Sequence, residues 1–304
     1  MVKRLLSANA SDVQAYTKDD LFKAIQSSEG RIVMSENVVM HEPSEEGITT
    51  SEMTKASGAD MILLNAFDVF NPIVLGMPNQ EAINTAILND NVIKELKKFI
   101  GRPIGLNLEP IDLDAPMLED RLTIPKGRQA SAETLRKAGE LGFDFVVLTA
   151  NPGVGTSNKA ITDNIKIAKT EFNGLVIAGK MHKAGSSEPI FTDETIDNYL
   201  DAGADIILLP AVGTVWGIGA SEIKRIIDKI HAKGKLALSA IGTSQESAQP
   251  DVIRQLAIRN KELGFDIQHI GDAQRNRYEA ISELKIAIAG YRHFIAAVSR
   301  SVER

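Results

Sequence analysis

The chain has 304 residues, 43% hydrophobic and 24% charged, which suits a soluble globular protein with a large core. A formal net charge of -6, with no basic run or basic-aromatic stripe, argues against a nucleic-acid surface. The absence of cysteine excludes disulfides, thiolate nucleophiles and cysteine-based zinc sites, and no stretch has the apolar length of a signal peptide or a membrane span, so a cytoplasmic location is expected.

Residues 11–27 read as a leading amphipathic helix with Ser11 at its N-cap, in an extension covering residues 1–29. The first strand is expected at 31–35. A polar loop with His41, Glu42, Glu45 and Glu46 follows, then a short helix capped by Thr50 or Ser51 and ended by Gly58. Further strands are predicted at 60–65, 104–108, 145–149, 175–180, 206–210, 236–240 and 267–271. A helix is expected over 81–99 and a long last one over 278–298. These strands are short, continuous and rich in Val, Ile and Leu, as parallel strands covered on both faces are.

Four strands follow a Gly-Ala-Asp or Gly-Phe-Asp triplet, at Gly58, Gly142, Gly203 and Gly264. The glycine suits the left-handed end of a helix. Eight strands alternating with helices imply an α/β fold, a (β/α)8 TIM barrel with an extra N-terminal helix, as one domain over residues 1–304. Such barrels carry their chemistry at the carboxyl ends of the strands. The connection over 109–130 is unusually long. It reads as a lid over the site, or as an oligomer contact or mobile insertion.

Strand alternation sorts the tips. Gly105, Asn107 and Glu109 share one face, and Ala178, Lys180 and His182 another. Asn107, Glu109, Lys180 and His182 are thereby expected to converge on one pocket, with Asn65, Thr149 and Gly271 at the matching tips. Lys180 is open to three readings: a Schiff-base nucleophile, a fixed cation for a carboxylate or phosphate, or a counter-ion to Glu109. Glu109 and His182 suit general base and acid. Glu36, Glu109, His182 and Asp272 carry oxygen and imidazole donors for magnesium or manganese, with Glu36 and Asp272 taken as the metal pair; no spaced metal motif accompanies them. Glu36 and Asn37 lie beyond the strand end, where alternation stops being a guide. His269 reads as a core histidine on the inner face, and Trp216 as a loop residue that covers a ligand or packs locally.

The seventh and eighth strands end in Ile241-Gly242-Thr243-Ser244 and Ile270-Gly271-Asp272-Ala273. Glycines here let backbone N–H groups reach phosphate oxygens, and a helix N-terminus adds positive potential. Gly242, Thr243, Ser244, Gly271 and Ala273 are the expected anion-binding set, with plain tight turns as the alternative. Gly153-Val154-Gly155-Thr156 has the look of a second anion nest, without the third glycine of a dinucleotide fingerprint.

Through ADMILLNAFDVFNP, GRPIGLNLEP, GLVIAGKMH, GADIILLPAVGT, SAIGTSQ and HIGDA, the chain resembles a group of uncharacterised bacterial TIM-barrel proteins, some labelled phosphoenolpyruvate-phosphonomutase-like. GLNLE and KMHKAG are more distantly similar to BtpA-like barrels. The chain departs from the phosphonomutase and isocitrate-lyase pattern, lacking a cysteine-bearing catalytic loop and ending its third strand in NLEP, so those catalytic residues do not carry over. The residues themselves lead to a barrel enzyme, lyase or isomerase, on a small phosphorylated or carboxylated metabolite. Lys180 and His182 would polarise a carbonyl while Glu109 moves a proton. A non-catalytic metabolite-binding or assembly protein and a Schiff-base aldolase using Lys180 are the alternatives. A homo-oligomer is expected; no nucleic-acid or membrane partner is.

Overall fold

Each Gly-X-Asp triplet performs two tasks in sequence. The glycine takes a left-handed φ, +103° at Gly58, +96° at Gly142, +102° at Gly203 and +97° at Gly264. The next residue then donates its N–H back to a helix carbonyl, of Thr54, Ala138, Tyr199 and Asn260 respectively. The aspartate finally clamps two strands. Its N–H donates to the carbonyl of Val33, Ile104, Val176 or Ala237 on the preceding strand, at 2.8–2.9 Å. Its carboxylate accepts the N–H of that same residue at 2.8–3.0 Å. The repeat therefore sets strand register at the amino-terminal pole, the end of such barrels that serves stability rather than chemistry.

A computed structural model describes residues 2–118, 120–183, 185–242, 244–271 and 278–300. Its eight strands form a closed barrel in chain order, every neighbouring pair parallel. They are β1 (Ile32–Val38), β2 (Met61–Asn65), β3 (Ile104–Leu108), β4 (Phe145–Leu148), β5 (Leu175–Gly179), β6 (Ile206–Pro210), β7 (Leu236–Ile241) and β8 (Ile267–Ile270). Helices α1 (Ala10–Gln14) and α2 (Lys18–Gln26) precede β1. After it come α3 (Thr50–Ala56), α4 (Val92–Ile100), α5 (Ala132–Leu141), α6 (Asn158–Glu171), α7 (Asp193–Ala202), α8 (Ala220–Ala232), α9 (Pro250–Leu263) and α10 (Tyr278–Ser299), the last broken at Gly290. This is the (β/α)8 barrel expected from the sequence. No helix among the described residues is long and apolar enough to cross a membrane.

Two apolar layers follow from strand alternation. Ile32, Met34, Leu63, Val147, Ile177 and Leu238 fill the barrel. Val33, Ile62, Leu106, Val146, Val176 and Ile241 face the helices. Leu5, Leu6, Leu21 and Ile25 join the interior layer, so the N-terminal segment plugs the amino-terminal end.

Several boundaries differ from expectation for local reasons. The leading helix is two helices, because Thr17 caps the second one by accepting the N–H of Asp20. The helix expected from residue 81 begins at Val92. Gln80 instead ties the preceding turn, accepting Val74 N–H and donating to the carbonyls of Pro72 and Ile87. β1 runs on to Val38, so alternation does hold at its tip: Glu36 lines the mouth and Asn37 turns outward to Ser51 on α3.

Candidate active site

A cavity of about 610 Å³ opens at the carboxyl ends of the strands. Its floor is polar on one side. Glu36, Asn65, Asn107 and Thr149 reach it from the ends of the first four strands, joined by Asn151 just beyond β4. The opposite side is built from Met181, Gly242 and Gly271, with His182, Lys183, Ser244 and Glu246 around the mouth.

The polar side is one hydrogen-bonded chain. His269, fully buried inside β8, shares a 2.8 Å bond between its Nε2 and Glu36 Oε2. Asn65 Nδ2 donates to Glu36 Oε1 at 2.6 Å and to Asn151 Oδ1 at 2.9 Å. Asn151 and Asn107 return donors to Asn65 Oδ1 at 3.0 and 3.1 Å. Asn65 is therefore satisfied on both sides of its amide, which fixes its orientation and with it the Glu36 carboxylate. Asn107 Oδ1 is buried and has no partner among the described residues. Burial lowers the pKa of His182, opposed by Glu36 and reinforced by Lys180. Burial thus favours the neutral form of this imidazole at the mouth.

Two predicted catalytic residues are placed differently. Glu109 does not line the cavity. Its carboxylate accepts Arg128 at 2.8 Å through Oε1 and the Asn151 N–H at 2.8 Å through Oε2. Lys180 also stays outside. Ala178 belongs to the helix-facing layer, so Lys180 follows that parity. Its ammonium is buried and meets Glu188 at 2.5 Å. Burial lowers its pKa in spite of Glu188. Its counter-ion is thus Glu188 and not Glu109, and its burial among the described residues leaves no access for a Schiff-base carbonyl. β5 ends at Gly179, Met181 still keeps the interior parity of Leu175 and Ile177, and His182 departs from it to reach the cavity from the loop beyond the strand.

Of the anion set, Gly242, Ser244 and Gly271 line the cavity. Thr243 and Ala273 lie outside the described residues, as do Asp272 and Arg275. The Gly271 N–H is spent on the Ile241 carbonyl at 2.9 Å. A Cβ at Gly242 would stand 2.4 Å from Met181 Sδ, so this glycine makes room for a side chain. A 3₁₀ turn, Gln245–Ser247, separates β7 from α9, moving that helix N-terminus away from the strand end. Glu36 is the member of the expected metal pair that is described, and both its oxygens are bonded. Among the described residues no three His, Asp or Glu cluster as metal ligands do.

The glycine-rich loop after β4 is not an anion nest. The guanidinium of Arg121 occupies it, donating to the carbonyls of Asp112 at 2.6 Å and Val154 at 3.3 Å. Trp216 is 96% exposed and covers nothing among the described residues. Sequence reasoning missed Asn151, Glu188 and the Glu36–His269 pair. Asn151 carried a signal, being an amide two residues past Thr149 at a strand tip.

Residues 6–304 match the family described as Domain of unknown function (DUF7916), and the chain belongs to that family. No curated protein matches it. A protein from Burkholderia cenocepacia J2315, provisionally titled a lyase/mutase, is similar in structure at 18% identity and a TM-score of 0.50, covering 89% of this chain and 84% of that one. A provisionally titled fructose-1,6-biphosphate aldolase from Coccidioides immitis has 13% identity and a TM-score of 0.51, covering 95% of this chain and 99% of that one. At these identities the likeness concerns the fold.

Proposed function

We propose that the chain is a barrel enzyme of the lyase or isomerase type, acting on a small phosphorylated or carboxylated metabolite held in the mouth cavity. The observation that carries this reading is the placement, in one cavity, of a half-buried imidazole, His182, and a buried carboxylate, Glu36, fixed by two hydrogen bonds. His182 takes the proton-transfer role, since an uncharged imidazole can accept a proton at pH 7. Glu36, held by Asn65 and His269, faces it as the second polar group. Lys183 and Ser244 offer donors to an anionic end at the mouth. Glu109 and Lys180 act as supports, one for Asn151 and one for the loop carrying Glu188. The lyase/mutase and aldolase titles of similar barrels are in keeping with this chemistry.

The test is a thermal-shift screen of three- to six-carbon phosphorylated and carboxylated metabolites, followed by NMR turnover assays on each binder. His182→Gln is expected to keep binding while losing turnover by about 10²-fold or more, the usual contribution of a general acid or base. Glu36→Gln is expected to lose turnover as well. Full turnover in His182→Gln would overturn the reading.

A further inference from the structure

The pole opposite the mouth buries more positive charge than its carboxylates balance. Lys55, Arg102 and Lys285 are 1%, 3% and 0% exposed, with one buried carboxylate, Asp60, among them. Lys285 takes Asp60 at 2.6 Å. The others meet backbone dipoles: Lys55 Nζ donates to the Ala297 carbonyl at 2.8 Å and Arg102 to that of Ala8 at 2.8 Å. Arg300 adds a fourth cation, donating to the Leu6 carbonyl at 2.9 Å. Carbonyls satisfy hydrogen bonds without neutralising charge. Burial accordingly lowers the pKa of Lys55, Arg102 and Lys285, and the neighbouring cations lower each further.

Arg102 is the member with donor capacity left over. Its Nε is buried and has no hydrogen-bond partner among the described residues. A guanidinium presents a planar fork of five donors that matches an oxyanion. Arg102 also lines a cavity of about 100 Å³, together with Gln14, Lys97, Gly101 and Asp144. Asp144 does not repel an anion unopposed, since it is bonded to Lys97 at 2.7 Å and to the Ile104 N–H at 2.8 Å.

We propose that this cavity binds a small oxyanion, seated on Arg102 with Gln14 and Lys97 beside it. The site is at the stability pole and is independent of the function assigned to the mouth. An anion there balances the buried cations and braces the junction of the N-terminal segment, the end of α4 and the approach to β4.

Calorimetric titration of the full chain with inorganic phosphate, and separately with acetate, at ionic strength fixed with chloride, tests this. One phosphate per chain is expected, weakened at least about tenfold by Arg102→Leu, which removes the charge-assisted bonds. Lys97→Met is expected to weaken it too, and Lys183→Met, at the mouth, to leave it unchanged. Acetate binding at the same site with the same variant pattern would extend the ligand class to carboxylates. Should Arg102→Leu fail to fold, Arg102→Lys and Lys97→Met carry the test, since Lys keeps the charge and loses the fork. Absence of binding by both anions, or affinity unchanged in these variants, overturns the proposal. So does loss of binding in Lys183→Met alone, which would move the anion to the mouth.

Discussion

Lys55 ties stability to pH by its burial. Its pKa is lowered from 10.5 to about 7, first by desolvation and next by Arg102. Between those two values the unfolded chain holds the proton and the folded chain does not, so stability rises with pH across this window. The gain tends toward about 1.4 kcal/mol per pH unit above the folded value. Urea unfolding at pH 6, 7, 8 and 9 should show the wild type gaining on Lys55→Met as pH rises; a constant difference would refute it. The Lys285–Asp60 pair, buried on both sides, makes a second case. Asp60→Asn leaves an ammonium without its charge partner, and a loss of about 3–5 kcal/mol is expected in the same assay. Residue roles were the least legible level of the sequence. Lys180 and His182 stand two apart, and simple alternation gives them one face. The strand has already ended at Gly179, so His182 sits in the loop and is not bound to the parity that Lys180 keeps, and nothing in GLVIAGKMH announces where the strand stops. Glu109 was placed at the right strand tip, but its partner Arg128 lies 19 residues away and had to be brought back by the fold.

At the scale of elements the text was far clearer, because each barrel unit repeats the same local chemistry. The four Gly-X-Asp triplets could be read as helix stops from glycine alone. Their second task, clamping the preceding strand through the aspartate, needs the three-dimensional pairing. Glycines at strand and helix ends also differ in what surrounds them. At Gly142 a Cβ would meet only the flexible side chain of Lys94, at 3.4 Å, so the cost of Gly142→Ala is the positive φ, about 1 kcal/mol. At Gly179 the same Cβ would lie 2.0 Å from the Leu208 carbonyl oxygen on β6, an atom fixed by the barrel. Gly179→Ala is expected to cost more than about 3 kcal/mol, as backbone strain and overpacking combine. Equal unfolding midpoints for the two variants would refute the distinction.

For the whole molecule, the long segment after β3 decides how the mouth is held. Its length was visible in the sequence; its attachment was not, since every tie is long-range. Leu118 N–H donates to the Gly185 carbonyl at 2.8 Å, Ser187 N–H to Pro116 at 3.1 Å and Leu122 N–H to Gly153 at 2.8 Å. Arg128 holds Glu109, and Glu109 holds Asn151 in the cavity wall. These ties make the segment a strap across the loops after β4 and β5 in this structure. Arg121 fastens its middle by bonding carbonyls on both sides, Asp112 and Leu113 on the strap, Val154 and Gly155 on the loop. Replacing it with Met removes that crosspiece while leaving the barrel core untouched, so local opening becomes cheaper than global unfolding. Limited trypsin digestion should cut Arg121→Met after Lys126 or Arg128 at least about tenfold faster than the wild type, for a local loss of about 1.4 kcal/mol or more. The global unfolding midpoint should barely move. Equal cleavage rates would refute the role of Arg121 as the crosspiece that holds the strap.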